Sequence, residues 1–228
     1  MTQPQAQQSV QSSQPTHTPL VIGVCGGVAS GKSVVTLQLA KLGAAVIHAD
    51  QLGHEVLRDP EVVRLLLERF GQEIRSREDP NQLSRAAIAA IVFGSSETAQ
   101  AHRAFLEAVT HPRIRQKIRH QLKQFREHFK PPPAIVLDVP LLFESGWHTE
   151  CDEIIFVQAP YAKRLQRATQ RGWQIEQFHA REAAQMPLTE KEKRSSVVLE
   201  NTGTLEEFQN RISEWFLQRQ TNPSKGSE

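Results

Sequence analysis

Apolar residues along the chain follow two alternating rhythms. Five short runs rich in β-branched residues are too brief for helices: Leu20–Cys25, Ala44–His48, Ala134–Asp138, Glu153–Val157 and Val197–Leu199. Runs of this kind, not alternating with polar residues, predict strands buried on both faces of a parallel sheet. Between them the apolar spacing becomes helical. A helix is expected from about Lys32 to Leu42. The long stretch from Leu52 to Lys130 carries helix-spaced positions such as Val62, Leu65, Leu66 and Phe70, then Phe105, Val109, Ile114 and Ile118. Strands alternating with helices predict an α/β fold with a doubly wound five-stranded parallel sheet.

The gap between the second and third strands is too long for a simple crossover, so about 52–130 is expected to form an inserted helical subdomain. A smaller insertion, about 161–194, carries Arg164, Arg167, Arg171, Arg181 and Lys191 and reads as a small, basic helical lid. One domain over 19–219 follows, with its core at about 19–51, 131–160 and 195–219. The polar segments 1–18 and 220–228 have too little apolar content to repay ordering and are expected to be disordered tails.

Strand one runs into Gly26-Gly27-Val28-Ala29-Ser30-Gly31-Lys32-Ser33, and a helix follows. This fits the phosphate-loop pattern G-x-x-x-x-G-K-[ST] in its required strand–turn–helix setting. Glycines let successive N–H groups turn inward as a nest for phosphate oxygens, and the helix N-terminus adds unpaired donors. Gly27, Val28, Ala29, Ser30, Gly31, Lys32, Ser33 and Val34 are therefore the expected ATP contacts. Lys32 supplies charge at the β- and γ-phosphates, and the Ser33 hydroxyl a ligand for Mg²⁺.

A phosphate loop alone does not define a kinase, so the carboxylates matter. Asp50 follows strand two at the sheet edge where ligands of parallel sheets bind. A carboxylate there can orient an acceptor hydroxyl or take its proton. It can equally cap a helix beginning near Gln51, and one residue can serve both ends. Asp138 ends strand three in the Walker-B manner and is the second expected Mg²⁺ ligand, against a plain turn carboxylate. Taken alone, Glu144 reads as a solvated loop residue and His111, before Pro112, as a packed or capping one. From the lid, Arg164 and Arg171 are the candidates to meet the moving phosphoryl group, since transfer needs positive charge on its oxygens.

The chain has 228 residues and a formal net charge of +2, too mild for a nucleic-acid binder by bulk electrostatics. Cys25 and Cys151 stand apart with no ligand spacing. That favours a reducing, cytoplasmic setting over a disulfide framework or zinc site. No signal peptide or membrane span is expected. The partners implied are small molecules, with a monomer favoured.

Several blocks together resemble the dephospho-CoA kinase family: Ile22 to Ser33, His48-Ala-Asp50, Phe105 to Pro112, Leu137-Asp-Val-Pro-Leu-Leu-Phe-Glu144 and Glu200-Asn-Thr-Gly203. Their order matches over about 20–217. The resemblance implies ATP-dependent phosphorylation of the ribose 3′-hydroxyl of dephospho-CoA, the last step of coenzyme A synthesis. It makes the helical insertion the acceptor-binding subdomain and places Asp50 near the acceptor hydroxyl. By the same resemblance, Arg85, His111 and Glu144 join the acceptor contacts, and Asn201 and Gly203 lie beside the adenine of ATP. The family usually reads glycine at Ala29, threonine at Val34 and Ala-Asp at Ser195-Ser196, so no role of that aspartate carries over. A small GTPase is excluded, because Asp50-Gln-Leu-Gly53 comes too soon after the loop and no Asn-Lys-x-Asp follows. The remaining alternative is a nucleoside or nucleotide kinase of similar architecture.

Overall fold

The computed structural model describes residues 18–94 and 96–221. The tails expected at 1–18 and 220–228 fall almost wholly outside these residues, although Gln220 and Thr221 continue the last helix. Five strands form one sheet: β1 (Leu20–Gly26), β2 (Ala45–His48), β3 (Ala134–Asp138), β4 (Glu153–Gln158) and β5 (Val197–Glu200). Their order is β2-β3-β1-β4-β5 and every pair is parallel. The expected α/β fold with a five-stranded parallel sheet is therefore the one observed.

Period-two alternation divides the strand side chains between two cores. Val21, Cys25, Ile47, Ile135, Leu137 and Phe156 pack on one face with Leu52, Ile118, Leu122 and Trp147. Ile22, Val24, Val136, Ile155 and Val157 face the other side. There they meet Val35 and Leu39 of α1 (Lys32–Lys41) and Phe208, Ile212 and Phe216 of α9 (Leu205–Thr221).

Four helices fill the chain between β2 and β3: α2 (Ala49–Val56), α3 (Pro60–Phe70), α4 (Arg85–Val92) and α5 (Glu97–Arg126). They enclose a core of their own around Val62, Leu66, Phe70, Ile74, Ile88 and Val109. The 30 residues of α5 reach about 45 Å at 1.5 Å per residue. That length lets α5 contribute Val109 to the insertion core and Ile118 and Leu122 to the sheet core. Pro112 sits inside α5, and the preceding His111 is exposed in mid-helix, neither packed nor capping.

Between β4 and β5 lie α6 (Tyr161–Gln170), α7 (Ile175–Ala183) and α8 (Leu188–Lys193). Phe178 of α7 and Ala168 of α6 pack directly on Val28 of the glycine-rich loop. The lid helices thus share a small apolar core with that loop.

Candidate active site

The loop between β1 and α1 is held by its carbonyl groups. Lys32 Nζ donates to Gly26 O at 3.2 Å and Gly27 O at 2.8 Å. Arg164 donates to Val28 O at 3.4 Å, and Arg167 to Ala29 O at 3.5 Å and Ser30 O at 3.2 Å. Asn201 Nδ2 adds a 2.7 Å bond to Ser30 O. Every carbonyl from Gly26 to Ser30 is therefore engaged by a side chain. A trans peptide sets its N–H opposite its C=O, so holding the carbonyls orients the N–H groups as a set. The N–H groups of Val28, Ala29, Gly31, Lys32 and Ser33 have no acceptor among the described residues. Five free donors at a helix N-terminus make a concave anion nest.

Two loop positions show how closely the braces approach. A Cβ at Gly27 would come within 2.8 Å of the Arg164 guanidinium, and one at Gly31 within 2.4 Å of Asn201 Nδ2. Ala29 takes φ 56°, the left-handed region that L-residues enter at a cost of about 1–2 kcal/mol. Glycine would remove that cost but lose about 0.4–1 kcal/mol through its freer unfolded chain. Ala29→Gly is accordingly expected to raise the melting temperature by about 1–4 °C. A drop of several degrees in a thermal melt would contradict this account of the loop.

Burial pulls the Lys32 amine from its ordinary 10.5 down to about 8, and the Lys191 charge adds to the shift. Between pH 8 and 10.5 the unfolded chain then binds more protons at this site than the folded one. Stability of the nucleotide-free protein should consequently gain from this group as pH rises through that window. Phosphate, in contrast, selects the protonated amine. ATP binding is expected to weaken above about pH 8 and to take up a proton there. Calorimetric titrations in two buffers of different ionisation enthalpy check this, and a binding heat independent of buffer at pH 8.5 would refute it.

The lid supplies more positive charge than the arginines alone. Lys191 of α8 is 2% exposed. Its Nζ lies 3.1 Å from Glu144 Oε1 and donates to Gln185 Oε1 at 2.9 Å. Glu144 also accepts from the Met186 N–H at 2.8 Å. Burial opposes ionisation of Glu144, but these hydrogen bonds and the Lys191 charge outweigh it and hold the carboxyl below its usual range.

Arg164 is buried, ion-paired with Glu182 and bonded to Ala159 O at 3.2 Å besides Val28 O. Arg171 is exposed, and its guanidinium has no hydrogen-bond or ion-pair partner among the described residues. Arg167 is held below its ordinary value chiefly by burial, then by the Arg171 charge. Asn201 is buried against the loop, its Oδ1 accepting from Arg167 at 3.1 Å. Gly203 precedes the start of α9, where Thr204 and Glu207 cap one another. The serines at the family's Ala-Asp position have structural partners. Ser196 Oγ accepts from the Ile154 N–H at 3.1 Å, and Ser195 Oγ donates to Lys191 O at 2.6 Å.

The β2–β3 register places His48 beside Asp138, and His48 Nδ1 lies 3.0 Å from Asp138 Oδ2. Two residues on, Asp50 stands in the first turn of α2 rather than at its cap, which is His48. The helix begins earlier than expected because Ala49 packs into the sheet core and closes the turn directly after the strand. Asp50 is exposed, and its side chain makes no hydrogen bond or ion pair among the described residues. It lines a cavity of about 320 Å³ between α2, α4 and α5, together with His54, Arg85, Ile88, Phe93 and Ile114. Arg85 contacts the His54 ring at its rim. His111 lies apart from this cavity, beside Glu107 and Arg115 on α5.

Ser33 and Asp138 offer hard oxygen donors. The Ser33 hydroxyl is exposed, and Asp138 Oδ1 has no partner among the described residues. Among those residues no group of three His, Cys, Asp or Glu gathers as a metal cage. An open pair of oxygens suits Mg²⁺, which keeps waters and phosphate oxygens in its octahedron. Sequence reasoning gave no individual site role to His48, Arg167, Glu182 or Lys191. The available signals were the position of His48 within the His-Ala-Asp block and, for Arg167 and Lys191, membership of the basic lid.

A parallel sheet in this order, a braced phosphate loop, a helical insertion and a basic lid define a P-loop kinase. The sequence model of the dephospho-CoA kinase family matches residues 20–207. A dephospho-CoA kinase of Rhodopirellula baltica is 35% identical over 86% of this chain and 89% of its own. One from Symbiobacterium thermophilum is 39% identical over 82% and 75%. Among solved structures, a Thermus thermophilus protein superposes with a TM-score of 0.72 at 33% identity, covering 89% of this chain and 98% of that one. Dephospho-CoA kinase from Campylobacter jejuni gives 0.62 at 25%, covering 87% and 96%. The chain belongs to the dephospho-CoA kinase family.

Proposed function

We propose that this enzyme transfers the γ-phosphoryl group of ATP to the ribose 3′-hydroxyl of dephospho-CoA, giving coenzyme A and ADP. The observation that carries the mechanism is the loop itself. Five carbonyls are held by side chains, and five N–H groups have no acceptor among the described residues. Such a nest is preorganised for phosphate and needs no rearrangement at the moment of transfer. Across the same sheet edge, Asp50 faces the cavity of the helical insertion, which suits it to the acceptor hydroxyl.

In the reaction the acceptor oxygen attacks the γ-phosphorus. The new O–P bond forms as the bond to the β,γ-bridging oxygen breaks, and ADP leaves with that electron pair. The hydroxyl proton passes to the Asp50 carboxylate. Lys32 neutralises charge on the phosphate oxygens, buried Lys191 adds positive potential beside it, and Arg171, whose guanidinium has no hydrogen-bond or ion-pair partner among the described residues, can approach them. Arg164 serves the loop instead, because Val28 O and Glu182 already occupy it. Glu144 acts through Lys191, and Arg85 with His54 receives charge on the acceptor. Ser33 and Asp138 would hold Mg²⁺, which would supply Lewis-acid charge to the triphosphate. Both cysteines are free thiols, in keeping with a reducing, cytoplasmic setting. No helix among the described residues is long and apolar enough to cross a membrane.

A coupled ADP-release assay tests the acceptor. Dephospho-CoA should be turned over with a kcat/KM well above that of AMP, adenosine or shikimate. Preference for AMP or adenosine would favour a nucleotide or nucleoside kinase instead.

A further inference from the structure

We infer that His48 is a positioning residue for the Asp138 carboxylate, fixing which of its oxygens meets the metal. This rests on Asp138 as a Mg²⁺ ligand. The two residues lie 90 apart in sequence but side by side in the β2–β3 register. His48 Nδ1 lies 3.0 Å from Oδ2, and a carboxylate can only accept, so Nδ1 carries the proton. Oδ1 is left without a partner among the described residues. One oxygen is thus anchored and the other free, and the carboxylate does not have to be ordered when metal and nucleotide arrive. His48 also caps α2, and Asp50 stands two residues beyond it. That cap is a matter of backbone position, with no side-chain cap bond, so the residue that anchors the metal carboxylate is also the one from which the helix carrying the acceptor carboxylate starts.

Partners that orient a ligating carboxylate contribute about 10- to 100-fold in metal affinity. The test titrates Mn²⁺ into the full-length enzyme saturated with ADP, following free Mn²⁺ by electron paramagnetic resonance. His48→Leu, which keeps bulk but removes the donor, should raise the Mn²⁺ Kd by about 10-fold or more. His48→Asn sets an amide N–H near the place of Nδ1 and should return the Kd to within about threefold of wild type. In an Asp138→Asn background, His48→Leu should add almost nothing, since the interaction it removes has already gone. Thermal melts of each variant run alongside.

The inference fails if Asp138→Asn weakens Mn²⁺ binding while His48→Leu does not. It fails equally if His48→Leu keeps its full effect in the Asp138→Asn background, or if His48→Asn is as impaired as His48→Leu. Unchanged Mn²⁺ binding in Asp138→Asn itself removes Asp138 from the metal site and overturns the role of His48 with it.

Discussion

Lys32→Ala should remain folded and lose phosphoryl transfer by at least about 10²- to 10³-fold, the loss typical of removing one oriented charge-stabilising donor. The fold should tolerate the change because burial already works against this amine, as its value of about 8 records. Removing it relieves that cost, set against the loss of its bonds to Gly26 O and Gly27 O. The loop keeps the clamps from Arg164, Arg167 and Asn201. ATP affinity should fall as well, but the larger loss belongs in kcat, since charge builds on the β,γ-bridging oxygen as the bond breaks. Steady-state kinetics beside a thermal melt read both. Near-normal turnover would remove the loop lysine from the mechanism.

Asp50→Asn should lower kcat by about 10²- to 10⁴-fold, the span of a general-base contribution, with little change in KM for ATP. The substitution is close to isosteric, and the Asp50 side chain has no hydrogen bond among the described residues to lose. Its structural worth is limited to the charge in the first turn of α2, about 0.3–1 kcal/mol. Asp50→Ala should therefore match Asn in kinetic defect and in stability. A fully active Asn variant would leave orientation and charge neutralisation as the whole mechanism. A large loss of stability in either variant would mean that Asp50 holds the helix start after all.

The parts of this site that could be read from sequence are those encoded locally. The phosphate loop announces itself in eight consecutive residues, and each strand is a contiguous apolar run, so both were legible. Helix-spaced residues such as Val62, Leu66 and Phe70 likewise pointed to the separate core that the insertion forms. What escaped depends on which strands are neighbours. His48 meets Asp138 only because β2 lies beside β3, and no periodicity states that order. Arg164 and Val28 are 136 residues apart, and a row of lid arginines does not tell which one turns down onto the loop. Lys191 was hidden in the same way, because its worth comes from burial beside Glu144. The start of α2 was misjudged for a simpler reason. Asp50 is a better capping residue than His48 by type, but packing of Ala49 against the sheet decides where the turn closes.

The site of phosphoryl transfer is read from the product. Enzyme, ATP, Mg²⁺ and dephospho-CoA should yield one equivalent of ADP per equivalent of a new phosphomonoester, seen by ³¹P NMR and located on the ribose 3′-oxygen. ADP release without that product, or a phosphoryl group placed on another oxygen, would contradict the account.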